Sequence, residues 1–185
     1  QLRMELCEDL DEELRGGILE RFQYGGRWCV LDRLAGFLTY GDKVEFDYKC
    51  LAVMERLRKM NLFRKEDIQQ RNLLHLCCGD DNMRSNKDRR GIPEKRFKFL
   101  AGWDPHALAQ TNSNGQLPIH LVAKKFLHHA ASNYYSPMPN FQLVLQAGVQ
   151  YFPKRKGINL FFQKDREGAT PRSEEHTSEL QSHSD

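Results

Sequence analysis

The chain has no apolar run approaching the roughly 18 residues that a membrane helix needs. It is equally poor in catalytic signatures. No phosphate-cradling glycine loop, Gly-x-Ser-x-Gly elbow, His-Glu-x-x-His pair or dinucleotide fingerprint is present. The cysteines (Cys7, Cys29, Cys50, Cys77 and Cys78) form an odd set without framework spacing. That pattern predicts reduced thiols in an intracellular protein, cytoplasmic or nuclear. Zinc requires four converging ligands. His75, Cys77 and Cys78 do not supply them, because on a helix positions 75 and 78 share a face while 77 points elsewhere. The same trio lacks the third orienting group that a Cys–His nucleophile needs. No secretory leader is visible, although the chain opens on Gln1 and reads as missing its natural start. No catalytic residue, cofactor or metal is expected.

Charge of one sign is scarce as well. The formal charge is +3. Residues 172–182, Arg-Ser-Glu-Glu-His-Thr-Ser-Glu-Leu-Gln-Ser, resemble the translation of a sequencing adapter. The 172–185 tail is therefore read as non-native and disordered, like an expression tag. It carries Arg172 against Glu174, Glu175, Glu179 and Asp185; without it 27 basic residues face 21 acidic ones, a charge of +6. That is below the charge of a dedicated nucleic-acid binder. About 170 residues remain, enough for one domain with a real core.

What the chain does have is self-similarity. Asn72-Leu-Leu-His75-Leu-Cys-Cys78 and Leu117-Pro-Ile-His120-Leu-Val-Ala123 lie 45 residues apart. Asp165-Arg-Glu-Gly168-Ala-Thr170-Pro171 repeats the run-up Asn112-Ser-Asn-Gly115-Gln-Leu-Pro118. A fixed offset of this kind marks repeat architecture.

Apolar periodicity predicts helices around it. Residues 5–24 align Leu6, Leu10, Leu14, Ile18 and Phe22, and residues 27–38 carry Trp28, Leu31 and Leu34. Residues 47–60 align Leu51, Met54 and Leu57, with Leu62-Phe63 sealing the end. Short helices are expected over 73–78 and 94–102, separated by a polar loop from Gly79 to Lys95. Asp104-Pro105 reads as a turn, and Asn112 to Gly115 as a hairpin-type turn. A helix runs from Pro118 to about His129, and its partner occupies 140–147 with Gly148 as C-cap. Ser132–Pro139 is a loop. Lys154–Gly157 is expected as a basic turn and Ile158–Phe162 as a strand or turn.

These motifs resemble the ankyrin repeat, whose unit is an Asp/Asn-x-x-Gly turn, a Thr-Pro-Leu-His helix start, and a second antiparallel helix. The likeness covers about residues 70–171. It assigns structural positions to His75, Gly115, Pro118, His120, Gly168, Thr170 and Pro171. Its spacing departs from the usual period of about 33: 45 residues separate His75 from His120, and 53 separate Gly115 from Gly168. The excess is placed at 79–95 and 130–139, between paired helices. Leu stands for Thr before Pro118.

The resemblance implies an all-α fold, a short solenoid of antiparallel helix pairs. It divides the chain into a helical region at 1–69, where degenerate repeats remain open, ankyrin-like repeats with insertions at 70–171, and the tail. It implies a non-catalytic protein–protein interaction scaffold whose partner is another protein, with no membrane. Asn112, Ser113, Asn114, Gln116, Arg166 and Glu167 are the expected contacts, and the histidines are expected to bond backbone. Cys77-Cys78 are expected to pack as small apolar residues, and His128-His129 to sit exposed at a helix end. Tyr134-Tyr135 is a candidate interface anchor. The alternative is nucleic-acid or polyanion binding through a basic 84–98 loop.

Overall fold

A computed structural model describes residues 13–20, 28–36, 43–79, 91–130, 138–153 and 155–171. The adapter-like tail, most of the basic segment (84–90), Tyr134-Tyr135, Cys7, and the side chains of His128 and His129 lie outside the described residues. The described residues are all-helical, without strand. Helix α1 covers residues 13–19. It is followed by α2 (Val30–Gly36), α3 (Lys43–Lys59), α4 (Lys65–Gln70), α5 (Leu73–Cys78) and α6 (Glu94–Trp103). A 3₁₀ turn, Pro105–Ala109, leads to α7 (Pro118–Ala130), α8 (Met138–Tyr151) and α9 (Arg155–Asn159). No described helix is long and apolar enough to cross a membrane.

Contacts between helices run in two series. Helix α2 packs on α5 and α5 on α7, while α3 packs on α6 and α6 on α8. Within each step α2 touches α3, α5 touches α6 and α7 touches α8. The core lies along these seams. Leu31, Ala35, Met54, Leu73, Leu74, Phe97, Leu100, Leu117 and Ile119 are buried there. Helix α5 is buried at all six of its positions, enclosed by α2, α4, α6 and α7.

Local chemistry sets the boundaries. At the end of α3, Asn61 takes a left-handed φ of 57°. The amides of Asn61 and Leu62 donate to the carbonyls of Arg58 (3.0 Å) and Leu57 (2.9 Å), the double return that closes a helix through a left-handed residue. Leu62 and Phe63 then seal the end, both buried. Helix α5 opens at Asn72 (φ 53°), which asparagine tolerates better than most residues, and stops at Gly79 (φ 87°).

Three expectations need correction. Gly148 is not a C-cap: α8 continues to Tyr151, and the amide of Phe152 still donates to the Gly148 carbonyl at 2.9 Å. The glycine instead faces the chain that follows α8. A Cβ there would meet Leu160 Cδ1 at 3.3 Å, and a Cβ on Gly157 would meet the Gly148 oxygen at 2.7 Å. In place of the expected basic turn and strand or turn, residues 155–159 form the short helix α9 and 160–162 turns, with Lys154 outside the described residues. Finally, part of the long spacing falls after the second helix. Thirteen residues lead from Gly102 to Gly115, but 20 lead from Gly148 to Gly168, and α9 occupies the difference.

Candidate interaction surface

The turn at 112–116 is tied by its own first residue. Asn112 Oδ1 accepts from the amides of Asn114 (2.9 Å) and Gln116 (3.0 Å). Its amide donates to the Gln116 carbonyl at 2.9 Å, and the Gly115 amide donates to its carbonyl at 3.0 Å. Asp165 repeats the pattern bond for bond. Its Oδ1 accepts from Glu167 and Ala169, both at 2.9 Å. Its amide donates to the Ala169 carbonyl at 2.8 Å, and the Gly168 amide donates back at 3.1 Å. Gly115 and Gly168 hold φ values of 74° and 81°. The two turns lie side by side, with the Arg166 amide donating to the Asn114 carbonyl at 3.2 Å.

The turns are coupled to the helices behind them. His120 Nδ1 accepts from the Leu117 amide at 3.1 Å, closing the first turn of α7. Nδ1 being an acceptor, Nε2 carries the proton and donates to the Gln163 carbonyl at 2.9 Å. Burial pushes the His120 pKa below its ordinary 6.5, and the bond to Gln163 partly restores it. His75 is equally buried, and its Nε2 donates to the Gln116 carbonyl at 2.9 Å.

A third residue fills the same place in α2, and no histidine motif announced it. Asp32 Oδ2 accepts from the Cys29 amide at 2.9 Å, the same three-residue closure as Leu117 and His120. Asp32 also receives Arg71 Nη1 at 3.1 Å, and Arg71 Nη2 donates to the Leu19 carbonyl at 2.5 Å. Asp32 and His75 therefore reach to the residue two ahead of the next helix, Arg71 and Gln116, while His120 reaches to Gln163, ahead of the 165–169 turn, and to the backbone of Ala169, the position that matches Gln116. Asp67 makes the closure again in α4, accepting from the Arg64 amide at 2.8 Å and from Arg15 Nη2 at 2.5 Å.

Of the expected contact residues, Ser113, Asn114, Arg166 and Glu167 are exposed. Asn112 and Gln116 are not: they are 8% and 7% exposed. Asn112 is spent on its own turn, and Gln116 Nε2 lies 3.5 Å from Asp165 Oδ2. A turn-forming side chain that satisfies local amides is drawn under the chain and cannot reach a partner.

The basic 84–98 segment is not one loop. Residues 94–98 belong to α6. Arg96 is fully buried, its Nε donating to Asp47 Oδ1 at 2.6 Å and its Nη1 to the Leu34 carbonyl. Asp47 Oδ2 also accepts the Lys95 amide at 2.8 Å, anchoring the start of α6 to α3. Lys98 pairs with Glu94 at 2.5 Å.

Cys77 and Cys78 are buried, with Cys77 Sγ donating to the Ala35 carbonyl at 3.3 Å. Burial pushes the Cys77 thiol up to about 12, so it is no nucleophile at neutral pH. Among the described residues no group of three His, Cys, Asp or Glu side chains converges as a metal site would require. No protein-family model, curated protein or solved structure matches the chain.

Proposed function

We propose that this chain is a protein–protein interaction module, a short solenoid of antiparallel, ankyrin-like helix pairs acting without bond chemistry. Stacked helix pairs with turns at one edge offer an extended surface to a partner. The observation that carries the reading is the division of labour at the turns. Asn112 and Asp165 use their side chains to fix the backbone, while their neighbours Ser113, Asn114, Arg166 and Glu167 stay exposed on that fixed frame. A rim held rigid before binding loses less conformational entropy when a partner arrives. The histidines that would otherwise invite a catalytic reading are buried and committed to carbonyls. The partner is another protein in the cytoplasm or nucleus; Cys29, Cys50, Cys77 and Cys78 are free and buried, which fits a reducing compartment.

Site-specific photocrosslinking in cells tests this. A crosslinker at Ser113 or Glu167 is expected to capture the same protein, and one at the exposed Val53 of α3 to capture none of it. Arg166→Glu is expected to weaken the purified complex about tenfold, or about 1.4 kcal/mol. Equal capture from Val53, or none from the turns, contradicts the reading.

A further inference from the structure

The corner between α3 and α4 concentrates positive charge that neither the bridging residues nor the turn tips use. Arg56, Arg58 and Lys59 occupy the last turn of α3. The left-handed Asn61 then sends the chain directly to Arg64 and Lys65 at the head of α4. Arg56, Arg58, Lys59 and Lys65 are exposed, and the only exposed acids alongside in sequence are Glu55 and Glu66.

The corner is held in place. The Arg58 guanidinium carbon lies 4.3 Å from the Trp103 ring centre and 5.8 Å from that of Phe99. Trp103 in turn meets Phe63 edge-on at 4.8 Å. Lys65 Nζ reaches to 3.8 Å from Asp104 Oδ1. Cations from two elements thus meet over the same end of α6.

Helix dipoles account for half of this arrangement. The carbonyl end of α3 favours Arg56, Arg58 and Lys59. The same rule disfavours Arg64 and Lys65 at the amide end of α4. Buried Asp104 answers Lys65, while also accepting from Gln69 Nε2 at 2.6 Å. Between the two groups of cations in the sequence lies Met60, 45% exposed.

We infer that this corner docks an acidic polypeptide segment bearing an apolar side chain among its carboxylates. Carboxylates form charge-assisted bonds with arginine and lysine, and methionine gives an adaptable apolar contact. Single-stranded nucleic acid fits less well. It binds through stacking faces and a continuous basic groove, whereas Arg58 already covers Trp103, and Glu55 and Glu66 interrupt the charge. The inference rests on the reading of the chain as an interaction module, but on residues other than the turn tips.

The test uses the whole chain and a fluorescent synthetic peptide rich in Glu and Asp with one Leu, titrated by anisotropy over a salt series. A thymidine oligonucleotide of similar length runs in parallel. Arg56→Glu with Lys59→Glu is expected to weaken peptide binding about tenfold or more, and Arg56→Gln with Lys59→Gln several-fold, both with unchanged circular dichroism. Arg166→Glu is expected to leave it unchanged, which separates failure here from failure at the turns. No binding at low salt, binding indifferent to charge reversal, or tighter binding of the oligonucleotide overturns the inference.

Discussion

At the scale of the residue, His120 shows how a polar side chain is kept in a core. It is fully buried, accepts from one backbone group and donates to another. Only the neutral ring can do both. Its pKa is depressed by burial, so the unfolded chain takes up a proton first as the pH falls. The contribution to stability is complete above the ordinary value of 6.5 and is lost as the pH drops below it toward the lowered value. Urea titrations at pH 7.5 and 5.5 check this. Replacing His120 by Ala is expected to cost about 2–3 kcal/mol at the higher pH, from lost bonds and a small cavity. The penalty is expected to shrink at the lower pH. A penalty independent of pH contradicts the proton assignment.

At the scale of the element, the two turns separate conformational freedom from close packing. Both glycines hold a left-handed φ, which costs a residue with a Cβ about 1 kcal/mol. At Gly168 the added carbon meets nothing within 4 Å. At Gly115 it meets Arg166 Cγ at 2.9 Å and the Arg166 amide nitrogen at 3.0 Å, so the adjoining turns must part. Gly168→Ala is therefore expected to cost about 1 kcal/mol and Gly115→Ala about 2–4 kcal/mol by chemical denaturation. Equal costs would mean that the turns do not touch. Elements also differ in how well the sequence announces them. Helices α3, α6, α7 and α8 are long enough for a period of 3.6 to show. Helix α4 has one aliphatic residue, Ile68, and α9 only Ile158, so neither has a period to read. Pattern reading takes a glycine late in a helix for its end; at Gly148 the tight neighbour is the Leu160 side chain just beyond α9, which meets it only after folding.

At the scale of the whole molecule, the bridging side chain is legible where the motif keeps its histidine and invisible where it does not. Asp32 stands in the place of His75 and His120, but Cys29-Val-Leu-Asp32 shares no Pro or His with Leu117-Pro-Ile-His120. A polar acceptor three residues after a helix-opening amide is the signal that remains, and it is too common to find without coordinates. The same limit explains Asn112 and Gln116. Polar residues in a turn serve either the backbone or a partner, and composition does not distinguish them. Burial of Arg96 against Asp47 is likewise a long-range fact, joining residues 49 apart in sequence.

The central claim is that His75 and His120 each tie a helix to the chain ahead of it by donating from Nε2 to a backbone carbonyl, with Asp32 making the corresponding link by accepting from Arg71. Nitrogen-15 NMR of the imidazole rings tests it most directly. For His75 and His120 the account predicts Nε2–H tautomers whose ring protons exchange slowly with water, because each donates to a carbonyl in a buried site. A ring of either residue protonated on Nδ1, or a ring proton exchanging as fast as that of an exposed histidine, would contradict it.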